Sequence, residues 1–282
     1  MKTVAVLLTC HNRVINTLQC LSHLFEQSAY GSVRLGVFLV DDGSTDGTAE
    51  KVAEQYPEVN VISANGNLFW NRGMHRAFGE ALKNGFDYYL WLNDDTYLYK
   101  DSLERLLEAH EYLCRQSKAK SILIGSTKDS STAEFTYGGY RRAGNILNPL
   151  NLYLVPPGED LIRCDTMCGN CVLIPRQIAD VLGNIDSEFR HRWGDVDYGL
   201  RAQLEGGEVW IAPGYLADCD GNPNEDKWRD HRLSLKRRIE ELHSLKGLGK
   251  NDWFRFIRIH GGMFWPFVWV RPYLRLIYDT FR

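Results

Sequence analysis

The stretch VFLVDDGS at residues 37–44 decides the fold, because an apolar run ends abruptly there in two carboxylates and a turn. VAVLL at residues 4–8 precedes it, and YYLWL at residues 88–92 follows it and ends in Asn93-Asp94-Asp95. Continuous apolar runs of this length are typical of strands buried on both faces of a sheet. Helical spacing between them predicts a β-α-β alternation and therefore a doubly wound α/β fold.

The pattern changes along the rest of the chain. Residues 59–62 predict a further strand, and Thr45 is the predicted cap of the helix after residue 44. After about residue 121, short apolar runs between glycines and prolines predict mixed sheet and loops. Residues 168–175 predict another strand, residues 193–204 a helix, and the chain from about Asp226 onward several helices.

Composition excludes several classes of protein. The chain has 282 residues and a net charge of −3, which argues against a nucleic-acid-binding protein. Residues 227–282 carry 13 Lys+Arg and 5 Asp+Glu, a balance of +8, so the remaining residues carry −3 − 8 = −11. Seven cysteines without a regular framework favour a reducing, cytoplasmic setting. The apolar run Met263–Val270 is far shorter than the ~20 residues that cross a bilayer.

Two acidic pairs, Asp41-Asp42 and Asp94-Asp95, follow predicted buried strands. Ligands of open parallel sheets bind beyond the carboxyl ends of the strands. Paired carboxylates at such a place need a compensating charge, and a divalent cation with a diphosphate supplies it. The alternative is that the first pair belongs to a turn and the second caps a helix.

Four segments carry a resemblance to a known family: VLLTCHNR at 6–13, VDDGSTDGT at 40–48, WLNDD at 91–95 and WGDVDYGLR at 193–201. In this order they resemble glycosyltransferase family 2, including its bacterial surface-polysaccharide and rhamnosyltransferase-like members. The resemblance implies a GT-A-type mixed sheet. It further implies a catalytic domain over residues 1–215, with a nucleotide-sugar-binding half (1–120) and an acceptor-side half (121–215). Residues 216–282 would form a helical, basic and aromatic extension.

The resemblance also implies roles for individual residues. Asp95 would coordinate Mg²⁺ or Mn²⁺, with His231 as a further candidate ligand. Asp42 would accept a hydrogen bond from the nucleotide base. The implied nucleotide-sugar-binding residues are Thr9, Asn12, Asp41, Asp42, Asn67, Arg72 and Asp94. The implied donor-sugar and acceptor pocket contains Gly169, Asn170 and Trp193.

Asp195 is the predicted general base, which would deprotonate the acceptor hydroxyl in a single displacement and so invert the anomeric carbon. The family commonly has an acidic residue one position earlier, where this chain has Gly194. This departure leaves both Asp195 and Asp197 open as the base. Asp195 is preferred, because Asp197 is placed to pair with Arg201 at i+4.

The implied donor is a UDP- or dTDP-sugar, and the implied acceptor is a saccharide or a lipid-linked saccharide. The aromatic and basic tail, residues 253–282, favours either contact with the inner face of the cell membrane or packing against protein. Two other functions stay open: a sugar-phosphate nucleotidyltransferase and a non-catalytic carbohydrate-binding relative.

Overall fold

A computed structural model describes residues 1–29, 31–144, 149–222 and 227–280. The predicted helical start at Asp226 and the last residue of the predicted extension, Arg282, lie outside the described residues. The N-terminal half contains β1 (Lys2–Cys10), α1 (Val14–Phe25), β2 (Val33–Asp41), α2 (Thr48–Gln55), β3 (Asn60–Ser63), α3 (Phe69–Leu82), β4 (Tyr88–Leu92), β5 (Tyr97–Leu98), α4 (Ser102–Arg115) and β6 (Ser121–Lys128).

The C-terminal half contains β7 (Gly139–Arg142), β8 (Leu152–Val155), β9 (Ile162–Cys164), β10 (Thr166–Met167), β11 (Cys171–Pro175), α5 (Arg176–Leu182), α6 (Gly194–Leu204), β12 (Glu208–Asp218), α7 (Leu235–His243), α8 (Lys250–His260) and α9 (Trp265–Thr280). Short 3₁₀ helices cover Lys227–Arg229 and Gly262–Phe264. The predicted strands at residues 4–8, 37–40, 59–62 and 88–92 and the helix at residues 193–204 are confirmed.

The central sheet has the strand order β3-β2-β1-β4-β11-β6-β12-β5, with β9 also paired to β12. Strands β1, β2, β3 and β4 are parallel to one another, whereas β11 is antiparallel to both β4 and β6. A smaller sheet has the order β10-β7-β8. The predicted α/β fold with a mixed GT-A-type sheet is confirmed.

Both faces of the central sheet are buried, as the continuous apolar strands predict. Side chains alternate between faces along a strand. In β1, Val4 and Leu8 pack on the face covered by α1 and α4. Ala5 and Leu7 pack on the other face, against α3, α5 and α6. The sheet therefore forms a rigid platform whose functional groups lie at its ends.

The register brings four loops to one edge of this platform. Parallel β1, β2 and β4 end together, at Cys10, Asp41 and Leu92. Because β11 runs in the opposite direction, its first residue, Cys171, pairs with Leu92. The loop before β11 therefore joins the loops after β1, β2 and β4.

One sequence-based boundary needs correction, and a second stays a proposal. Thr45 does not cap α2, because the helix begins at Thr48 and its backbone N–H is bound by the Asp46 carboxylate at 3.1 Å. Aspartate accepts such a bond as readily as threonine, so the sequence alone did not distinguish them. A domain division at residue 215 would cut through β12, and we propose that the division follows Asp218.

The C-terminal extension packs against the α/β domain. Trp228, Leu242 and Phe256 share a hydrophobic cluster with Val196 and Leu200 of α6. Packing against protein, one of the two alternatives for the tail, is therefore confirmed, and membrane contact stays a prediction. Across the described parts of the chain, none of the helices combines the length and apolar character that crossing a bilayer requires.

Candidate active site

A cavity of about 1060 Å³ opens at the edge of the sheet where the four loops meet. Asp42, Asp95 and Asp195, which are distant in sequence, all line it. The predicted site residues in its wall are Thr9, Asp42, Asp94, Asp95, Gly169, Asn170, Trp193 and Asp195. We call the four carboxylates Asp42, Asp94, Asp95 and Asp195 the acidic group.

Five other predicted site residues are not in this wall. Asn12 accepts a hydrogen bond from Thr45 N at 2.7 Å, and Asp41 accepts one from Ser44 N at 3.1 Å. Both side chains therefore stabilise the loop after β2 without lining the cavity. Asn67 is exposed, and so is His231. Arg72 donates from Nε to Ser187 O at 3.0 Å and faces a separate, smaller pocket. These positions give no support to phosphate binding by Arg72 or to metal binding by His231.

Asp42 anchors the chain segment that leads into α3. Its Oδ1 accepts from Gly66 N at 2.9 Å, and its Oδ2 accepts from Leu68 N and Phe69 N, each at 2.9 Å. Phe69 adopts a positive φ of 57°, which the three bonds help to hold. Asp42 is buried and nevertheless borders the cavity, so its hydrogen bonds fix part of the cavity wall.

Asp94 and Asp95 share one cation of the protein, Arg13. Its Nη1 lies 3.2 Å from Asp94 Oδ1, and its Nη2 lies 2.6 Å from Asp95 Oδ2. Burial raises the pKa of Asp94 to about 7, Arg13 opposes this rise, and the charge of Asp95 adds to it. One arginine therefore does not fully compensate the two carboxylates. Arg13 belongs to the segment that carried the family resemblance, but its partners were not predicted.

The acidic pair fits a hard divalent cation. Asp95 lines the cavity, and Asp94 is buried behind it with an incompletely compensated charge. Over the described ranges, three or more His, Cys, Asp or Glu residues never gather as a ready-made metal cluster. Mg²⁺-type ions commonly take only one or two protein carboxylates and complete their shell with phosphate oxygens and water. Asp95, with the buried Asp94 beside it, would therefore be the protein's part of such a site.

Asp195 lies in the first turn of α6, where the helix dipole favours a negative charge. Its Oδ2 accepts from Gly169 N at 2.8 Å, and its Oδ1 accepts from Val196 N at 2.8 Å. Burial raises the pKa of this carboxyl, and the two backbone N–H groups partly offset that rise. A carboxylate held in one orientation, with a raised pKa, is suited to accept a proton.

Two glycines allow the loops around Asp195 to approach closely. A Cβ at Gly169 would overlap the indole ring of Trp70 and would lie 3.4 Å from Asp195 Cβ. Trp70 in turn donates from Nε1 to Asn93 Oδ1 at 2.7 Å. A Cβ at Gly194 would overlap the side-chain amide of Asn71. The neighbouring Asn71 therefore explains why glycine stands where the family commonly has an acidic residue.

Asp197 has a structural role. Its Oδ2 accepts from Arg201 Nε at 2.7 Å, which confirms the predicted i+4 pair. Its Oδ1 lies 2.8 Å from Nε2 of His260 in α8. Asp197 is 1% exposed and does not line the cavity, so the arrangement favours Asp195 as the base and leaves Asp197 to join α6 to the extension.

The extension supplies part of the cavity wall, which motif analysis did not predict. We call its four cavity-lining cations, Arg229, Lys246, Arg271 and Arg275, the basic wall. The excess of +8 in residues 227–282 was the available signal, but a charge balance cannot say which side chains share a cavity. Trp193 links the two parts, because its Nε1 donates to Leu248 O at 2.9 Å and its ring stacks on Phe256.

His191 also lines the cavity, and it is held neutral there. Burial lowers its pKa to about 4, and the positive charges of Arg192 and Lys246 add to this effect. Within the described residues its Nδ1 is buried without a hydrogen-bond partner. The imidazole is thus a neutral group beside cations, which makes proton transfer from a charged His191 an unsuitable role at neutral pH.

Comparison with known proteins agrees with this geometry. The family model of Glycosyl transferase family 2 matches residues 5–181, more than half of the chain. The chain is also 23% identical over 196 residues to N-acetylglucosaminyl-diphospho-decaprenol L-rhamnosyltransferase of Mycobacterium tuberculosis, in strain CDC 1551 and in strain H37Rv. The matched region covers 63% of this chain and 63% of each relative, so this chain matches less than two thirds of their length.

Proposed function

Because the chain belongs to glycosyl transferase family 2, we propose that it transfers a sugar from a nucleotide-diphosphate donor to a hydroxyl of a saccharide acceptor. The observation that carries the proposal is that Asp42, Asp95 and Asp195 line a single cavity. Its volume of about 1060 Å³ is at the upper end of the range for small-molecule sites, which leaves room for two substrates.

The donor half of the cavity contains Thr9, Asp42, Asp94 and Asp95 at the ends of β1, β2 and β4. Asp42 fixes the loop before α3 and borders the space for the nucleoside. Asp95 would hold Mg²⁺ or Mn²⁺, with Arg13 beside it as a fixed positive charge. When bound, such a cation neutralises the charge that develops on a departing nucleoside diphosphate. A UDP- or dTDP-sugar is the proposed donor, by resemblance.

Asp195 is the proposed general base. Hydrogen bonds from Gly169 N and Val196 N hold both carboxylate oxygens, so the side chain does not need to reorganise as it takes the proton. The acceptor oxygen forms a bond to the anomeric carbon while the bond to the diphosphate oxygen breaks. A single displacement of this kind inverts the anomeric configuration. The neighbouring Gly169, Asn170 and Trp193 would shape the pocket around the donor sugar and the acceptor.

The proposed acceptor is a lipid-linked saccharide, in agreement with the name of the Mycobacterium tuberculosis relatives. That name refers to a saccharide joined to a prenyl chain by a diphosphate. The position of the basic wall in the same cavity as Asp195 supports an anionic acceptor for this chain too. The product would belong to surface polysaccharide biosynthesis.

The proposal can be tested by thermal stabilisation with a panel of nucleotide sugars, with and without Mn²⁺. We expect one class of nucleotide sugar to raise the melting temperature, and to do so more strongly with the cation. The stabilising donor is then incubated with lipid-linked saccharides, and released nucleoside diphosphate is measured. Release of pyrophosphate instead would indicate nucleotidyl transfer, and binding without turnover would indicate a carbohydrate-binding protein; either result would contradict the proposal.

A further inference from the structure

The part of the cavity wall that the extension provides is positively charged. Arg229, Lys246, Arg271 and Arg275 line the cavity, and the described residues 227–280 add no carboxylate to the lining, whereas Asp220, near the start of the extension, adds one. The acidic group comes entirely from the α/β domain. The cavity therefore has two chemically different parts, and a substrate on the extension side meets cations.

Two of these cations have no carboxylate partner. In the part of the chain that the structure describes, neither Lys246 nor Arg271 forms an ion pair, and both are exposed. Arg275 has only a weak partner, since its Nε lies 3.7 Å from Asp279 Oδ2. Cations that line a cavity without internal partners attract anions and can donate charge-assisted hydrogen bonds to them.

Around its circumference, helix α9 presents an exposed apolar face, then two arginines, and then the side that lines the cavity. Phe267, Leu274 and Tyr278 are 74%, 60% and 63% exposed. Each residue of an α-helix advances by about 100°, so these three share one face of α9. We call them the apolar stripe. On the same geometry, Arg271 and Arg275 lie between the apolar stripe and the side of the helix on which Val268 and Pro272 line the cavity.

We infer that Arg271 and Arg275 bind the diphosphate of a prenyl-diphosphate-linked acceptor. Its saccharide would enter the cavity toward Asp195, and its prenyl chain would lie on the apolar stripe. The inference rests on the proposed function and names the substrate class of the same site. A ligand with an anion between a sugar and an apolar chain matches the order of cavity, arginines and apolar surface. A free diphosphate would leave the apolar stripe without a role.

The test is a calorimetric titration of the full chain with geranylgeranyl diphosphate, in saturating UDP and Mn²⁺ so that the donor half is filled. Inorganic pyrophosphate and geranylgeraniol are titrated separately, because they carry the anion and the chain alone. We expect the prenyl diphosphate to bind at least tenfold more tightly than either. The double variant Arg271→Gln/Arg275→Gln should weaken its binding about tenfold or more, because two charged hydrogen-bond donors are lost.

The matched control is Lys236→Gln/Arg258→Gln. It removes the same charge from exposed residues of the extension that do not line the cavity. Its affinity for the prenyl diphosphate should equal that of the unmodified chain. Equal loss in both double variants, or unchanged binding after Arg271→Gln/Arg275→Gln, would overturn the inference.

Phosphatidylglycerol vesicles provide a further arm. Loss of vesicle binding with unchanged prenyl diphosphate binding in the α9 variant would assign these arginines to a membrane surface and also overturn it.

These outcomes are separable from those of the proposed function. If the chain binds UDP with Mn²⁺ but not the prenyl diphosphate, the transferase proposal survives and the α9 site fails. If it binds the prenyl diphosphate but no nucleotide, the α9 site survives and the transferase proposal fails. Both double variants should retain the fold, because Arg271, Arg275, Lys236 and Arg258 are all exposed. Circular dichroism of each variant checks this.

Discussion

The acidic group and the basic wall line the same cavity, but the protein holds them in different ways. Asp42 and Asp195 each accept backbone hydrogen bonds with both oxygens, and Asp94 and Asp95 share Arg13. The basic wall projects from exposed positions of the extension, with Arg275 weakly paired. Groups fixed by the backbone are preorganised for one reaction, whereas loosely held cations suit the recognition of a ligand. The comparison predicts that changes in the acidic group affect turnover more than changes elsewhere.

The largest effect is expected for Asp195→Asn. It removes the proposed proton acceptor while leaving the proposed donor half intact, so turnover of the nucleotide sugar should fall by about 100-fold or more. UDP affinity in the presence of Mn²⁺ should stay within about twofold of that of the unmodified chain. Steady-state kinetics and calorimetry measure the two quantities.

Asp220→Asn is the matched control for Asp195→Asn. Asp220 also lines the cavity, but it lies outside the acidic group and its Oδ1 accepts from Ser130 N and Oγ. It should retain most of the turnover. If the two variants lost activity equally, the distinction between the acidic group and the rest of the wall would break down.

Asp95→Asn is expected to have the next largest effect. Loss of one carboxylate charge should weaken the Mn²⁺-dependent affinity for UDP by about tenfold or more, because the cation would lose its proposed protein ligand. Titration with UDP at several Mn²⁺ concentrations measures this change, and UDP binding without Mn²⁺ provides the reference. A Mn²⁺ dependence that persisted in Asp95→Asn and disappeared in Asp220→Asn would place the cation elsewhere in the cavity.

Gly169→Ala sharpens the comparison by testing how closely the acidic group is packed. The new methyl group would overlap the Trp70 ring, so the ring or the loop must move. We expect the free energy of unfolding to fall by about 1–3 kcal/mol, as is usual for overpacking. Gly221→Ala is the control, since a Cβ there would lie 3.8 Å from Thr136 Cγ2 and cause no overlap. Equal denaturation midpoints for the two variants would contradict this account.

The smallest effect is expected for substitution of His191, which lies beside Arg192 and Lys246, and it concerns the pH dependence of stability. Its pKa in the folded protein is about 4, below the ordinary value of 6.5, so the unfolded chain binds the proton more readily. The stability contributed by neutral His191 is therefore present above pH 6.5 and is lost as the pH falls toward about 4. Between pH 7 and pH 5 we expect a loss of about 2 kcal/mol that is absent in His191→Gln.

Denaturant unfolding at pH 7 and pH 5 measures the His191 contribution, and other titrating groups cancel in the comparison of the two chains. His231→Gln, at an exposed position, is the control and should keep the pH dependence of the unmodified chain. An unchanged pH dependence in His191→Gln would contradict the assignment.

The sequence determined the parts of this protein that depend on local patterns. Apolar strands ending in Asp41-Asp42 and in Asn93-Asp94-Asp95 were sufficient to predict the sheet and the edge where carboxylates gather, because parallel strands end together. The spacing of Asp197 and Arg201 was sufficient to predict their ion pair, because residues at i and i+4 are neighbours on a helix.

Only the tertiary structure decided which of these side chains face the cavity. Arg72 and Asn12 belong to the expected segments, yet Arg72 turns to Ser187 and Asn12 to Thr45. Arg13 and Arg271 join the site through packing between segments far apart in the chain. A sequence pattern specifies the period and the ends of an element, whereas the partners of a polar side chain depend on what packs against it from elsewhere in the chain.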